Sequence, residues 1–365
     1  MEFRETKKLG GWQVELVDGS TTLSWCSIVN RQMRIGTARV SVGGIGGVGT
    51  LREHRRKGYS RRVMERAMEV VEREGYDISF LHGIQNFYHR FGFVTCMPEH
   101  SFSLDTRDAE RAVGKSHLRR MRDSDLPQIV RLYNRDNNRR TGSAVRRLGT
   151  WRGFVIGTWW SRPAGTRVVV DGRDRVLGYV VYDDIDDCCR AAEVGGSGEE
   201  VYATILTFLA KRAVALRRER VWADIPADHP FAVYCRDYGL RLNTHYTRNE
   251  RHMGRIANFT SCVTAVLPEL ERRWGPGERD QHIGLRTDVG EGTLLWKGDS
   301  LVFDPGVASG AVRLSQQKFM QWLMGYVTPL DMVAMRRVAV RVAQRPLVER
   351  LFPRQDAQLW WADRF

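Results

Sequence analysis

The sequence predicts a mixed α+β fold made of three consecutive units. Short strand-like runs precede an amphipathic helix between Ser60 and Glu74, and a similar order of elements begins again near residue 116. From about Ile256 a different mixture of helices and strands follows. With 365 residues, the chain exceeds the size at which a single core stops growing, so two or three domains are expected.

The first unit is predicted to be an antiparallel meander followed by a helix and a strand. Runs rich in Val, Ile, Thr and Trp, bounded by turn residues, are typical of strands. They cover residues 12–17, 22–29 and 36–42. In the helix, apolar residues recur every three or four positions from Val63 to Val71. Gly75 ends this helix, and Asp77 to Leu81 forms the next strand.

The second unit repeats this kind of order, which indicates an internal duplication. Its predicted elements are a strand at 117–122, a helix at 125–133, a hairpin with strands at 167–170 and 176–182, a helix at 199–218, a strand at 221–225 and a helix at 230–238.

The third unit is predicted to combine helices with a short meander. Its elements are a helix at 263–274, a turn at 275–277, strands at 283–287, 292–297 and 300–304, and helices at 315–325 and 331–342. The chain then ends in an aromatic segment from Trp360 to Phe365. Because termini are usually polar and frayed, we expect this apolar one to be docked.

The composition excludes several classes of protein. Hydrophobic residues make up 42% and charged residues 27%, the balance of a soluble globular protein. There is no uncharged apolar run of about 18 residues and no signal-like start, so neither a membrane span nor a secreted protein is predicted. The six cysteines lack zinc-site spacing, so we expect no metal and a reducing, cytoplasmic setting.

The net charge of +14 raises the question of a polyanionic partner. The basic residues are scattered through all regions, as on a solvated surface, and nucleic-acid binding would rest on the charge alone. Part of the charge could instead steer an anionic cofactor such as coenzyme A.

The segment from Val48 to Tyr59 joins the end of a strand to the start of the first helix. A helix N-terminus offers free N–H groups and a positive dipole end, both of which favour a phosphate. Gly58 allows close backbone approach, and the three basic residues before it add positive charge. From the residues alone, the alternative is a basic turn before a surface helix.

Arg55-Arg56-Lys57-Gly58-Tyr59-Ser60 resembles the acyl-CoA pyrophosphate loop of the GNAT (GCN5-related N-acetyltransferase) superfamily, Arg/Gln-x-x-Gly-x-Gly/Ala, with Ser60 at the last small position. The segment from Asn86 to Phe93 resembles the superfamily's final motif. The resemblance implies acetyl-CoA as co-substrate. It also implies a set of cofactor-binding residues: Val48, Gly49, Thr50, Arg55, Arg56, Lys57, Gly58, Tyr59, Ser60, Arg61, Gly83, Ile84 and Asn86.

The whole chain resembles the enhanced intracellular survival (Eis) family of acetyltransferases. This resemblance implies tandem GNAT-like domains followed by a sterol carrier protein-like domain, here at 1–113, 114–255 and 256–365, and a homo-oligomer such as a hexamer. It further implies that Tyr88 is the general acid and that the terminal carboxylate of Phe365 is the general base. The alternatives are a packed core tyrosine and a hydrophobic plug.

The resulting prediction is an N-acetyltransferase that moves an acetyl group from acetyl-CoA to a primary amine, such as an aminoglycoside, a polyamine or a lysine side chain. The alternative is an acyl-CoA- or lipid-binding regulatory protein without transferase activity. It is motivated by the start of the chain, where about ten residues precede the first meander strand. GNAT domains normally begin with a strand and two helices that wall the acceptor pocket. Here those helices are missing or the start is incomplete, which leaves the acceptor pocket open, differently built or completed by another subunit.

The second unit lacks the pyrophosphate loop, because Glu199 and Glu200 stand at the start of its long helix and would repel phosphate. We expect no cofactor there. An acidic cluster nearby could line a pocket for a polycationic amine or form a solvated loop. Its members are Asp183, Asp184, Asp186 and Asp187.

Overall fold

A computed structural model of the protein describes residues 1–186, 188–275, 278–306 and 309–365. Within these residues the strands form two seven-stranded sheets and one four-stranded sheet. Helices pack against all three sheets, so the predicted α+β class is confirmed.

The first sheet is built mostly from the beginning of the chain. Its strands are β1 (Glu2–Lys8), β2 (Gly11–Asp18), β3 (Thr21–Ile35), β4 (Ala38–Thr50), β5 (Ile78–Gly83), β6 (Val94–Thr95) and β14 (Arg251–Ile256). They lie in the order β1-β2-β3-β4-β5-β14-β6. Helix α1 (Tyr59–Arg73) covers one face with its buried apolar stripe, as the sequence periodicity predicts.

The second sheet has the order β13-β7-β12-β11-β10-β9-β8. Its strands are β7 (Glu99–Asp105), β8 (His117–Arg120), β9 (Ala164–Val170), β10 (Val176–Asp183), β11 (Arg190–Gly196), β12 (Arg220–Ala223) and β13 (Arg241–His245). Four helices accompany it: α2 (Thr106–Ala109), α3 (Leu126–Asp136), α4 (Glu199–Ala215) and α5 (Pro230–Cys235).

The third sheet has the order β17-β16-β15-β18. Its strands are β15 (His282–Arg286), β16 (Glu291–Lys297), β17 (Ser300–Asp304) and β18 (Val312–Arg313), and its helices are α6 (Phe259–Trp274), α7 (Gln316–Leu323), α8 (Pro329–Ala334) and α9 (Arg345–Leu351). The helix predicted at 331–342 is shorter, because the chain turns at Arg336, which has φ 54°. The predicted turn at 275–277 lies partly outside the described residues. Likeness to a sterol carrier protein stays a prediction.

The beginning of the chain adds a strand that the sequence patterns did not reveal. Strand β1 pairs antiparallel with β2 along its whole length, from Glu2 opposite Val17 to Lys8 opposite Gly11. Only a two-residue turn, Leu9-Gly10, joins the two strands. A strand therefore precedes β2, and a turn joins the two where the resemblance to GNAT domains implies two helices.

Strands β7 and β14 each lie in a different sheet from the strand before them in the chain. Strand β7 follows β6 of the first sheet but lies in the second, and β14 follows β13 of the second sheet but lies in the first. Strand β14 pairs with β5 and β6, and β7 pairs with β12 and β13. Residues 251–256 thus join the first sheet and 99–105 the second, and the domain limits at 113 and 255 stay predictions. Those limits were drawn from the order of elements along the chain, which does not reveal pairing over about 170 residues.

The aromatic end of the chain is docked, as predicted. Trp360 and Trp361 are 1% and 4% exposed. The Trp360 indole N–H donates to Asn137 at 2.9 Å, and the Trp361 indole N–H donates to Asp224 at 3.1 Å. The tail thus packs on the second sheet before it reaches the first. Among the described helices, none combines the length and apolarity needed to cross a bilayer.

Candidate active site

An opening between β4 and β5 forms the centre of the site. The two strands pair in parallel from Val42 opposite Ile78 to Ile45 opposite Leu81. Beyond that point the pairing ends, although β4 continues to Thr50 and β5 to Gly83. The strands therefore separate and leave backbone N–H and C=O groups that an extended ligand can pair with.

The basic loop lies at the far end of β4. Gly58 precedes α1 with φ 79°, a left-handed conformation that favours glycine. Arg55, Arg56 and Lys57 are exposed, and within the described residues none of the three forms a salt bridge. These cations and the free N–H groups of α1 therefore meet at one place, as binding of a pyrophosphate requires.

Phe365 packs on β4 beside Gly44 and Gly46, which have no side chains to obstruct it. A Cβ at position 44 would come within 2.7 Å of the Phe365 ring, and one at position 46 within 2.6 Å of its carboxyl carbon. Glycine inside a strand commonly marks such a close approach. The terminal carboxylate is thereby placed one residue past the last β4–β5 pair.

Tyr88 lies beside the end of β5. It opens a short 3-10 helix, Tyr88–Phe91, and is 8% exposed. Its ring is close to Gly83, where a Cβ would come within 2.8 Å of it, and it packs edge-on against Phe87. Burial, with a smaller contribution from the Cys26 thiol, raises the pKa of Tyr88 to about 12, so the hydroxyl keeps its proton at neutral pH.

Tyr88 and Phe365 reach the opening from opposite faces of the sheet. Phe365 packs against the apolar cluster that contains Val42 and Phe80, whereas Tyr88 belongs to the cluster with Ile45 and Leu81. Adjacent residues of a strand point to opposite faces, so these are the two sides of β4 and β5. Tyr88 and Phe365 therefore lie on the two sides of the sheet next to the opening.

A buried ion cluster fixes the tail just before Phe365. The Arg146 guanidinium donates two hydrogen bonds to Glu193, both 2.7 Å, and two to Asp363, both 2.9 Å. The Tyr133 hydroxyl donates to Asp363 at 3.0 Å, and its ring lies 3.5 Å below the guanidinium. Burial lowers the pKa of Arg146, but Asp363 and Glu193 outweigh that effect and hold it well above its ordinary value.

A second cluster lies on the Phe365 side of the opening. His82 in β5 and His252 in β14 are opposite each other, and with Glu99 they bring potential ligand atoms within 4.8 Å of one another. Burial raises the pKa of Glu99, but His82, Arg364 and Arg251 bring it down to about 2. The expectation that no metal binds stays untested.

The start of α4 differs from the start of α1. Glu200 accepts hydrogen bonds from the backbone N–H groups of Lys115 at 2.6 Å and Ser116 at 2.7 Å. A carboxylate thus lies in the first turn of this helix, where a phosphate would need to bind. This agrees with the reason for expecting no cofactor in the second unit, which itself stays a prediction.

The described members of the acidic cluster differ in exposure. Asp183 is fully buried and accepts hydrogen bonds from Thr158 and Arg162. Asp184 and Asp186 are exposed. Asp187 lies outside the described residues. The solvated-loop interpretation fits Asp184 and Asp186, whereas Asp183 has a structural role.

The sequence-predicted cofactor residues occupy two edges of the opening. Those on the β4 and α1 side are Val48, Gly49, Thr50, Arg55, Arg56, Lys57, Gly58, Tyr59, Ser60 and Arg61, and those after β5 are Gly83, Ile84 and Asn86. Ile84 is 68% exposed, and the Asn86 backbone N–H donates to Asn249 at 2.9 Å. Their role in binding remains a prediction.

Sequence reasoning missed Gly44, Gly46 and Arg146. The signal for the glycines is the run Gly43-Gly44-Ile45-Gly46-Gly47, since four glycines in one strand indicate a close neighbour. No comparable signal marks Arg146, which is one of 57 basic residues.

Comparisons with known proteins agree with this geometry. Residues 3–96 match the family model described as an acetyltransferase (GNAT) domain. No curated protein matches the chain. Among solved structures, a GCN5-related N-acetyltransferase from Kribbella flavida is 18% identical with a TM-score of 0.73, and the match covers 97% of this chain and 87% of that protein.

Two further structures are similar over comparable lengths. A GCN5-related N-acetyltransferase from Anabaena variabilis is 14% identical with a TM-score of 0.77, covering 97% of this chain and 89% of its own. Eis1 from Mycobacterium abscessus is 14% identical with a TM-score of 0.66, and the match covers 98% of this chain and 92% of that protein. Residues 3–96 are therefore similar to the acetyltransferase (GNAT) domain, and the whole chain shares its fold with these structures.

Proposed function

We propose that the protein transfers the acetyl group of acetyl-CoA to a primary amine bound on the Phe365 side of the opening. The observation that supports this most is the placement of Tyr88 and the Phe365 carboxyl group at one opening, on opposite faces of the sheet. The basic loop at Gly58 lies at the far end of the same strand and provides a place for the pyrophosphate.

In this proposal the terminal carboxylate accepts a proton from the substrate ammonium, directly or through water. The neutral amine then attacks the thioester carbonyl, and the C–N bond forms. Collapse of the tetrahedral intermediate breaks the C–S bond and releases the sulfur as a thiolate. The nitrogen loses its second proton to form the neutral amide, and this proton, carried by water, converts the thiolate to the thiol of coenzyme A. No covalent enzyme intermediate is needed.

Tyr88 acts on the leaving sulfur. Its pKa of about 12 exceeds that of an ordinary thiol, near 8.5, so full proton transfer in the ground state is uphill. The hydroxyl therefore contributes chiefly a hydrogen bond that strengthens as negative charge develops on sulfur. Protonation of the thiolate completes as the product leaves.

The carboxylate role is tested by changing only its charge. A semisynthetic protein with a C-terminal carboxamide on Phe365 keeps the ring and the shape but cannot accept the proton. We expect thiol release to fall by about 10²–10⁴-fold while calorimetry gives an unchanged Kd for coenzyme A. Full turnover by the carboxamide protein would remove Phe365 from the mechanism.

Tyr88→Phe tests the hydroxyl. Loss of one hydrogen-bond donor to a developing charge should lower kcat by about 10²–10³-fold. The matched control is Tyr76→Phe, because Tyr76 is also 8% exposed and lies in the same apolar cluster but packs against Gly43 instead. Equal rates for the two variants would assign Tyr88 to the core.

The second candidate is an acyl-CoA-binding protein without transfer activity. It is favoured by the Leu9-Gly10 turn, which replaces two helices that wall the acceptor pocket in GNAT domains. Tight binding of acetyl-CoA with no thiol release across aminoglycosides, polyamines, lysine peptides and amino acids would support it. The resemblance to the Eis family supports a homo-oligomer such as a hexamer, whose size light scattering would measure. The cysteine pattern supports a reducing, cytoplasmic setting.

A further inference from the structure

A cavity of about 320 Å³ lies between the first two sheets, beside the docked tail. Its wall includes Trp361 and Arg364 of the tail and His252 of β14. His252 is opposite His82, which follows Leu81, the last residue of β5 that pairs with β4. The cavity therefore adjoins the opening on the face where the Phe365 carboxylate lies, and it has room for a small acceptor.

The charge of the wall is opposite to that required for a polycationic acceptor. The described lining residues include four arginines and two carboxylates. Arg190 is paired with Asp224 at 2.8 Å, and Arg162 donates to the buried Asp183, which is not a lining residue. Arg251 and Arg364 share the remaining carboxylate, Glu99, so these three side chains give the wall a net charge of +1 without the histidines. An amine carrying several positive charges would be repelled.

Arg364 is a buried cation with donor capacity left over. Its side chain is 4% exposed, and its guanidinium stacks 3.5 Å from the centre of the Trp361 ring. Its Nε and Nη1 atoms have no hydrogen-bond partner among the described residues, and Glu99 is 3.9 Å away. Burial lowers the pKa of Arg364 to about 10, so it stays charged at neutral pH.

His252 beside it is also unsatisfied. It is 1% exposed, and neither ring nitrogen has a hydrogen-bond partner among the described residues. Burial, Arg364 and His82 hold the pKa of His252 well below its ordinary value, so the ring is neutral and can donate one hydrogen bond. Buried donors without protein partners are rare, and water or a bound ligand is the usual partner in such cases.

A divalent cation is the rival occupant, because His82, Glu99 and His252 have metal-like spacing. However, Arg364 and Arg251 both lie near this group, at 3.9 and 3.8 Å from Glu99. Two adjacent positive charges oppose a bound dication. The electrostatics of the cluster therefore favour an anion.

We infer that this cavity binds the anionic group of the acetyl acceptor, so that the substrate is an amine bearing a carboxylate or phosphate and not a polycation. This rests on the proposed acetyltransferase function and names its substrate class. The anion would contact Arg364 and His252, and the amine would extend toward the Phe365 carboxylate. Trp159, 42% exposed at the rim, offers an aromatic surface for the rest of the acceptor.

The test compares amines that differ only in the anionic group. Thiol release from acetyl-CoA is measured with phenylalanine against phenethylamine, lysine against cadaverine, and phosphoethanolamine against ethanolamine. We expect at least one anionic member to have kcat/KM about tenfold or more above its partner. The pairs distinguish a carboxylate from a phosphate site. If no pair favours its anionic member, the inference is overturned while acetyl transfer is left intact.

Variants test whether Arg364 causes the preference for an anionic acceptor. Arg364→Met should bring the ratio of kcat/KM between the anionic amine and its partner close to one, and Arg364→Lys should retain part of the preference. Because Arg364 is buried, a second variant is made at the half-buried Arg251. We expect Arg251→Gln to reduce the preference for the anionic amine less than Arg364→Met does. Arg279→Gln, which removes an exposed charge in the third unit, is the control and should leave the preference unchanged.

Binding measurements separate this inference from the proposed function. If no amine is acetylated, calorimetry with 3-phenylpropionate and with inorganic phosphate still reports the anion site. Binding that is lost in Arg364→Met supports it, and absence of binding by either anion overturns it. Stoichiometric zinc binding that is lost in Glu99→Gln would also overturn it, since a cation would then occupy the cluster.

Discussion

The carboxyl carbon of Phe365 lies so close to Gly46 that a Cβ at position 46 would come within 2.6 Å of it. The two residues are 319 positions apart in the chain. The absence of one side chain on β4 therefore decides whether the terminal carboxylate can reach the opening between β4 and β5.

Gly46→Ala should displace that carboxylate. Gly46 does not have a positive φ, so alanine is tolerated by the backbone and the conflict is with the tail alone. A shift of about 1 Å at a reacting group costs about 10²-fold in rate, so we expect a fall of this order in kcat/KM with an unchanged Kd for coenzyme A.

Ile45→Val is the matched control for this variant. It trims the next side chain of β4, which is 3% exposed on the opposite face, and should cost about 1 kcal/mol of stability without moving Phe365. Similar kinetics for Gly46→Ala and Ile45→Val would show that the contact with Phe365 is irrelevant to the reaction.

Asp363→Asn should loosen the tail from within the second unit. Arg146 and Asp363 are both buried, and removing one charge of such a pair typically costs about 3–5 kcal/mol. Urea denaturation should show a lower midpoint, and kcat should fall because Phe365 is two residues away. Asp174→Asn, at a half-exposed carboxylate paired with Arg119, should change stability by less than about 1 kcal/mol. A normal kcat in Asp363→Asn would mean that the tail is held by its indoles alone.

Gly58→Ala should weaken coenzyme A binding. A non-glycine residue at φ 79° costs about 1–2 kcal/mol, and relief of this strain would move the start of α1 away from the pyrophosphate. We expect the Kd from calorimetry to rise about tenfold. Gly75→Ala is the control, because Gly75 follows the same helix with φ 71° and, like Gly58, has open space around its Cβ position. Gly75→Ala should destabilise the protein as much as Gly58→Ala does, but it should leave the Kd for coenzyme A unchanged.

Glu269 should make the protein acid-sensitive. It accepts hydrogen bonds from Thr37 at 2.8 Å and Arg273 at 2.6 Å, and so joins α6 to the β3–β4 turn. Burial raises its pKa, but hydrogen bonds from Arg272 and Thr37 outweigh this and bring it to about 2, below the ordinary 4.5.

Because the folded-state pKa of Glu269 is the lower one, its stabilisation is present above about pH 4.5 and is lost as the pH falls toward 2. It amounts to about 3 kcal/mol. Glu269→Gln should therefore lower Tm at pH 7 and show a smaller further loss of Tm between pH 5 and pH 3. If the Tm of the unmodified protein and that of Glu269→Gln fell equally between pH 5 and pH 3, this prediction would be contradicted.

Local patterns were enough to predict the elements that carry their own periodicity. The stripe from Val63 to Val71 predicted α1, and the apolar run at Trp360 and Trp361 predicted a docked tail. The fold class and the GNAT resemblance followed from these elements and from the loop at Gly58.

Relationships between distant residues were not predictable in the same way. Nothing in 251–256 shows that it pairs with β5, because strand pairing depends on the rest of the sheet. The partners of Arg146 and Arg364 are likewise set by tertiary packing, so a buried charge looks like any surface charge in the sequence. The cavity and the tail contact therefore required the structure.

The crossing of β14 into the first sheet has a consequence for synthesis on the ribosome. The β5 edge stays unpaired until residue 251 has emerged, 168 residues after Gly83. At elongation rates of ~5–20 residues per second this takes roughly 8–34 seconds. Throughout that interval one edge of β5 has unpaired backbone groups, which are a template for pairing with other chains.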